Sequence, residues 1–286
     1  MGLVKYDIRE RDFDRTKSDQ YELSILFGMD SFAYLIRQSQ GGKITAFRSV
    51  ELQNGRSDQD SSQHLMRALQ EDDVLRLNLI RELHIAWLYP VCSLVPERLY
   101  NPDAQQTYLS HLTELPANFE CLNDRISQIE TQLVYGLPTE KREPIVRRFS
   151  PRSEQHLSSG LLNAWSALPL AKNDRVVFSN FREQKILLAC FEQGQVKFFN
   201  TFSYREAKDA LYFVLLAYQQ CVWSPAKVPL YISGELTEDS AVYKQLYRFV
   251  KTLAFYSDNV PAGSLGPAMQ ALPAYVYADL FAIGKA

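Results

Sequence analysis

The feature that most constrains this chain is a pattern that occurs twice. Tyr21-Glu22-Leu23-Ser24-Ile25-Leu26-Phe27 reads as an apolar strand and Gly28-Met29-Asp30-Ser31 as a turn. Phe32-Ala33-Tyr34-Leu35-Ile36 is a second strand, Gln40-Gly41-Gly42 a second turn, and residues 43–52 a third strand. Past the midpoint the pattern returns, with strands over 174–179, 184–191 and 195–202 and a Gln193-Gly194 turn. Placing Gly42 on Gly194 lays Ile44 on Val196, Ala46 on Phe198, Tyr34 on Ile186, Ile36 on Leu188 and Leu26 on Phe178. Two meanders of the same order and length predict an internal duplication.

Each meander is followed by helix and strand patterns in alternation. After the first come a polar loop over 53–62, a helix over 63–79 and strands over 82–89, 91–96 and 119–137. A short basic helix follows over 141–149, and a helix over 157–168. After the second meander, Ala207, Leu211, Val214, Leu215 and Tyr218 share one helical face. A fully apolar strand over 228–233 comes next. Val242, Leu246, Phe249, Val250 and Leu253 then form another helical stripe, residues 254–257 a short strand, and residues 271–283 a closing helix. Antiparallel meanders joined to α/β crossovers predict an α/β fold with mixed sheets, not a doubly wound parallel sheet. The expected organisation is a loosely ordered polar lead-in over 1–20 and two related halves, 21–157 and 158–286.

Composition excludes several functions. Lys plus Arg is 31 against 33 for Asp plus Glu, so no global charge draws the chain to nucleic acid or an anionic membrane. No apolar run is long enough to cross a bilayer, and the charged start is no signal peptide. Cys92, Cys121, Cys190 and Cys221 stand far apart without metal spacing, and are expected as buried free thiols in a reducing cytoplasm. Gly41-Gly42-Lys43-Ile44 lacks the rest of a phosphate loop and reads as a hairpin turn. Ser264, in Ala262-Gly263-Ser264-Leu265-Gly266, lies in a flexible loop and not on a nucleophile elbow. His84 is expected as a packed neutral histidine, and Glu71-Asp72-Asp73 as a helix boundary. The basic Lys141-Arg142…Arg147-Arg148 segment is expected as a solvated helix face.

The strand order resembles the actin-like ATPase superfamily, whose subdomains are duplicated ribonuclease H-like units. Val228-Pro229-Leu230-Tyr231-Ile232-Ser233-Gly234-Glu235 is similar to its strand-then-glycine adenosine motif. The ending, Leu272-Pro273-Ala274-Tyr275-Val276-Tyr277-Ala278-Asp279-Leu280-Phe281-Ala282-Ile283-Gly284, resembles the last helix of the pilus-assembly and secretion members. Over residues 21–284 the chain also looks like a bacterial family of uncharacterised proteins assigned this fold.

The resemblance implies two phosphate loops, each a β-turn after the first strand of a repeat. In such loops an Asp directs Mg²⁺ and glycines admit the phosphates. Asp30 stands where the first loop has that Asp, but Phe32 falls where the family has glycine. The second loop, Ser179-Asn180-Phe181-Arg182-Glu183-Gln184, has neither Asp nor Gly, and the repeat alignment puts Arg182 opposite Asp30. Gly234 keeps the adenosine-motif glycine, while Glu235 replaces the second one. Asp30 and Gly234 are therefore the candidate cleft residues, as remnants of a nucleotide site. The expectation is a non-catalytic scaffold or interaction module with no cofactor. The alternatives are a divergent ATPase that binds ATP and Mg²⁺ through Asp30, and a small-molecule binding protein using the same cleft. The aromatic content is 12%, with Tyr crowded in the C-terminal half, and points to a protein partner or self-association.

Overall fold

The computed structural model describes residues 3–52, 58–76, 80–258 and 260–284, with backbone alone at 58–61. The first half runs β1 (Leu3–Arg9), β2 (Tyr21–Phe27), β3 (Ser31–Gln38), β4 (Ile44–Glu51), α1 (Asp58–Glu71) and β5 (Glu82–Trp87). An insertion follows: β6 (Cys92–Pro96), α2 (Gln105–Ser110), β7 (Phe119–Ile126), β8 (Thr131–Pro138) and α3 (Thr139–Phe149). Next come β9 (Ser153–His156), α4 (Leu157–Ser166) and α5 (Pro169–Asn173). The second half has β10 (Arg175–Arg182), β11 (Lys185–Glu192), β12 (Gln195–Ser203), α6 (Ala207–Gln220), β13 (Leu230–Gly234), α7 (Ala241–Phe249) and β14 (Leu253–Phe255).

The duplication is explicit in the sheets. The second orders its strands β12-β11-β10-β13-β14, and the first orders them β1-β4-β3-β2-β5-β9. The first is the second with one strand added at its edge. In both, the meander is antiparallel and the crossover strands pair parallel to its first strand. The insertion forms its own sheet, β6-β8-β7.

Strand periodicity decides where the core lies. On β10, Val176 and Phe178 face an apolar cluster shared by the two sheets, while Val177 and Phe181 face a second cluster under α6 and α7. The shared cluster joins Ile25, Phe27 and Trp87 of the first sheet to Leu161 and Trp165 of α4 and to Tyr277 and Leu280 near the C-terminus. Trp165 stacks on Phe178 with centroids 5.1 Å apart. Burying one such side chain stabilises the fold by about 2–3 kcal/mol.

Three expectations are corrected here. Residues 3–9 are not loosely ordered. Tyr6 and Ile8 alternate toward the core, and β1 pairs antiparallel with β4. The polar loop over 53–62 gives way to α1 by Asp58, with residues 53–57 outside the described set, and α1 ends at Glu71 rather than at 79. The closing helix is instead three 3₁₀ turns, Met269–Ala271, Ala274–Val276 and Ala278–Ala282. Pro273 has no amide to donate, and side chains take carbonyls that an α-helix would use. Arg182 Nη2 donates to Val276 O and Gln155 Nε2 to Ala282 O.

Candidate functional site

The site is built where the two hairpin tips meet. Phe27 pairs with Phe32, and Gly28 N donates to Ser31 O at 2.9 Å, so Met29-Asp30 is the first tip. Arg182 pairs with Lys185, so Glu183-Gln184 is the second. Pairing therefore sets Arg182 opposite Gly28 and Gln184 opposite Asp30, two positions from the sequence alignment. A slip of two keeps every side chain on its own face, which is why the apolar matches survived it.

The second tip is tight and non-glycine. Glu183 and Gln184 both take positive φ, 52° and 53°, which costs backbone energy for residues with a Cβ. It carries the Glu183 carboxylate across to the first tip, where Oε2 accepts from Met29 N at 3.1 Å. A Cβ at Gly28 would stand 1.8 Å from Glu183 Oε1, so glycine here admits a carboxylate of the chain itself. Glu183 Oε1 is buried with no hydrogen-bond partner among the described residues. Lys185 Nζ stands 3.4 Å from Oε2, and Lys141 Nζ donates to Met29 O at 2.6 Å.

Beside the tips runs a buried ion network. Arg182 Nε and Nη2 grip the Asp279 carboxylate at 2.8 and 3.0 Å, and Nη1 donates to Glu235 Oε1 at 2.8 Å. Burial works against the Arg182 charge, but the Asp279 and Glu235 carboxylates outweigh it and hold the guanidinium protonated. Glu235 in turn receives Ser49 Oγ at 3.0 Å and Lys5 Nζ at 3.2 Å. Burial raises its pKa, and Arg182 and Lys5 more than reverse this, so it stays ionised. Ser49 and Lys5 belong to the first sheet and Arg182 to the second, so Glu235 bridges the halves.

A cavity of about 430 Å³ opens over these groups. Its charged lining is Asp30, Glu51, Glu183 and Glu235 against Lys5, Arg182 and Lys185. Asp30 thus lines it, and its carbonyl accepts from Leu52 N at 2.8 Å. Gly234 has a structural reason for being glycine. Its φ is +89°, and a Cβ there would stand 2.2 Å from Phe181 O. Sequence reasoning missed Lys5, hidden in the supposed lead-in, and Asp279, hidden in the supposed helix. The charged Lys5 and Asp7 alternating with apolar Val4, Tyr6 and Ile8 were the available signal for β1.

The other candidates resolve as structure. Asp72 accepts from Val74 N and Leu75 N and faces Arg48 at 3.2 Å, while Asp73 pairs with Arg9 and Arg15. No cluster of three or more metal-ligand side chains occurs among the described residues. His84 is buried with Nδ1 2.7 Å from Ser153 Oγ, and burial lowers its pKa, as expected of a packed neutral histidine. The basic segment is not wholly a solvated face. Lys141 is buried, and Arg142 is clamped between Glu120 and Glu154. Ser264 is buried, its Oγ donating to Pro261 O, so its loop is pinned. All four cysteines are free, but only Cys190 is fully buried. No described helix is long and apolar enough to cross a membrane.

Residues 10–253 match the family model described as "Protein of unknown function (DUF3822)". The chain belongs to the DUF3822 family. The fold of this DUF3822 protein is similar to a Bacteroides thetaiotaomicron protein with actin-like ATPase fold and unknown function. That match has a TM-score of 0.75 at 19% identity over 91% of this chain and 97% of that one. The PilM-PilN type IV pilus biogenesis complex matches at TM-score 0.59 and 12% identity, over 92% of this chain and 97% of that one. EutJ, an ethanolamine utilization protein from Carboxydothermus hydrogenoformans, matches at TM-score 0.50 and 9% identity, over 96% and 91%. No curated protein matches the sequence. The DUF3822 protein therefore has the actin-like ATPase fold, as its sequence led one to expect.

Proposed function

We propose that this protein is a non-catalytic actin-like scaffold that works in the cytoplasm by binding a protein partner, with its nucleotide cleft closed by its own side chains. The observation that carries this reading is the Glu183 carboxylate on the Met29 amide. A phosphate in the same cradle would meet a fixed negative charge at hydrogen-bond distance. Four carboxylates against three cations around the cavity add to the repulsion of a polyanion. At the second tip no Asp is placed to direct Mg²⁺. Asp30 and Gly234 are thus remnants of a nucleotide site, and Gly234 is retained for backbone packing. Tyr212, Tyr247 and Phe249 are 61%, 67% and 51% exposed and supply aromatic surface suited to a partner. The similar fold in the PilM-PilN pilus biogenesis complex is likewise one member of a protein complex.

The test is thermal melting with and without ATP and Mg²⁺. A ligand at a hundred times its Kd adds about 2.7 kcal/mol, enough to raise the Tm by a few degrees in a chain this long. No shift is expected at millimolar nucleotide. A rise that disappears on chelating Mg²⁺ overturns this reading and favours a divergent ATPase using Asp30.

A further inference from the structure

The two halves treat one strand differently. β4 and β12 are the last strands of their meanders, and each is bulged at the same place. The register shifts at Thr45, between Ile44 and Ala46, and at Lys197, between Val196 and Phe198. Beyond the bulge, residues 46–51 of β4 correspond to residues 198–203 of β12. β1 covers the first segment, from Arg9 on Ala46 to Leu3 on Glu51. Among the described residues no strand covers the second, because β12 ends its sheet. Burial records the difference: β4 is buried along most of its length, and no residue of β12 is.

The free edge is ready to pair. Glu10 N donates to Thr45 O at 2.8 Å, so alternate residues from Thr45 onward turn their backbone groups toward β1. The same alternation turns Phe199 and Thr201 outward on β12. Thr201 N, with no strand beside it, donates to Asn200 Oδ1 at 2.8 Å. The one charge in β12, Lys197, sits at the bulge, and the strand has no proline, so nothing guards the edge beyond it. Phe198, Asn200 and Phe202 share the face toward α6. Phe202 stacks on Phe213 of α6 with centroids 4.3 Å apart, and Phe213 meets the exposed Tyr212 at 5.4 Å.

We propose that a second copy of this chain pairs here, β12 antiparallel to β12 about a two-fold axis at Asn200, so that the two second sheets become one. What selects a second copy is that residues 198–202 read Phe-x-Asn-x-Phe in both directions. The axis sets Phe198 of each copy opposite Phe202 of the other. These are non-hydrogen-bonded positions, where facing side chains stand closest and an aromatic pair stabilises the sheet. Phe199 and Thr201 exchange backbone hydrogen bonds across the axis. Lys197 falls opposite Ser203, so no like charges meet. The two-fold uses up the edge of both copies, and association stops at a dimer. The inference goes beyond the reading of the cleft and does not depend on it, since no cleft residue takes part.

The test is sedimentation velocity of the full chain over a range of concentrations. The expected species at high concentration has twice the chain mass of 32.9 kDa. Asn200→Lys places like charges across the axis and should weaken the dimer by about tenfold or more. Asn200→Glu should do the same. Mixed in equal amounts the two variants should dimerise again, because position 200 meets itself only in this register. Asn200 is exposed, so each variant should keep the circular dichroism spectrum of the native chain. A native chain that is monomeric at every concentration, a dimer that both substitutions leave intact, or an equal mixture that stays monomeric would each overturn the proposal.

Discussion

Asp124 and His156 oppose each other in acid. Asp124 Oδ2 accepts from His156 N and Ser159 Oγ, both at 2.6 Å. Burial pushes its carboxyl up to about 6 against the pull of those bonds. Burial drags the His156 imidazole down to about 4, opposed by its bond to Tyr89 O. For His156 the unfolded chain takes the proton first, so stability falls as pH drops from 6.5 toward 4. For Asp124 the folded chain takes it first. Its contribution is full below 3.8 and is lost as pH rises through 6. At 1.36 kcal/mol per pKa unit each is worth about 3 kcal/mol, and in the native chain they nearly cancel. Asp124→Asn removes one side of the balance. Urea denaturation of that variant should lose about 3 kcal/mol more than the native chain between pH 6.5 and 4. Parallel pH profiles would refute the assignment. The two groups were not visible as a pair in the sequence, because they stand 32 positions apart with β8 and α3 between them. Asp30 was visible because a turn after an apolar strand is a local signal. Glu183 was not, because its role depends on where the opposite tip lies.

Elements with their own periodicity were legible, and elements defined by neighbours were not. The six meander strands and the stripes of α6 and α7 carry their burial in spacings of two or of three and four residues, but the expected α7 stripe ran too far: Phe249 ends the helix exposed and Leu253 already begins β14. Strand β1 has the alternation too, but Lys5, Asp7 and Arg9 on its other side made it look like solvent-facing chain. Those charges are engaged across the fold, Lys5 with Glu51 and Glu235 and Arg9 with Asp73. The acidic end of α1 is unfavourable beside the helix dipole, and the β1 arginine compensates it. Removing residues 1–9 should therefore do more than trim an end. The expected result is a Tm lower by more than about 3 °C, the scale of losing about 2 kcal/mol in a chain this size. Hydrogen exchange should also quicken along β4, whose outer edge would be unpaired. Unchanged melting and exchange would mean that β1 adds nothing to the sheet.

At the scale of the molecule, the halves share one core. Phe178 and Phe191 of the second sheet, Trp87 of the first and Tyr277 and Leu280 of the C-terminal turns belong to the same apolar cluster. The C-terminal turns also tie back through Gln155, which bonds Ala282 O and Gly284 N. Separating the halves would expose this cluster, so calorimetry should record one unfolding transition with calorimetric and van't Hoff enthalpies in agreement. Two resolved transitions would show that the halves unfold independently.

The Glu183 contact can also be put as a concentration. A group tethered to its own binding site acts as a competitor at millimolar or higher effective concentration, and it never diffuses away. Any anion reaching the Met29 amide from solution must outcompete that internal ligand before it gains a single bond. On the proposed reading, metabolites at millimolar levels would begin at a disadvantage that dilution cannot relieve, and the cleft would stay indifferent to swings in the cell's phosphate and nucleotide pools.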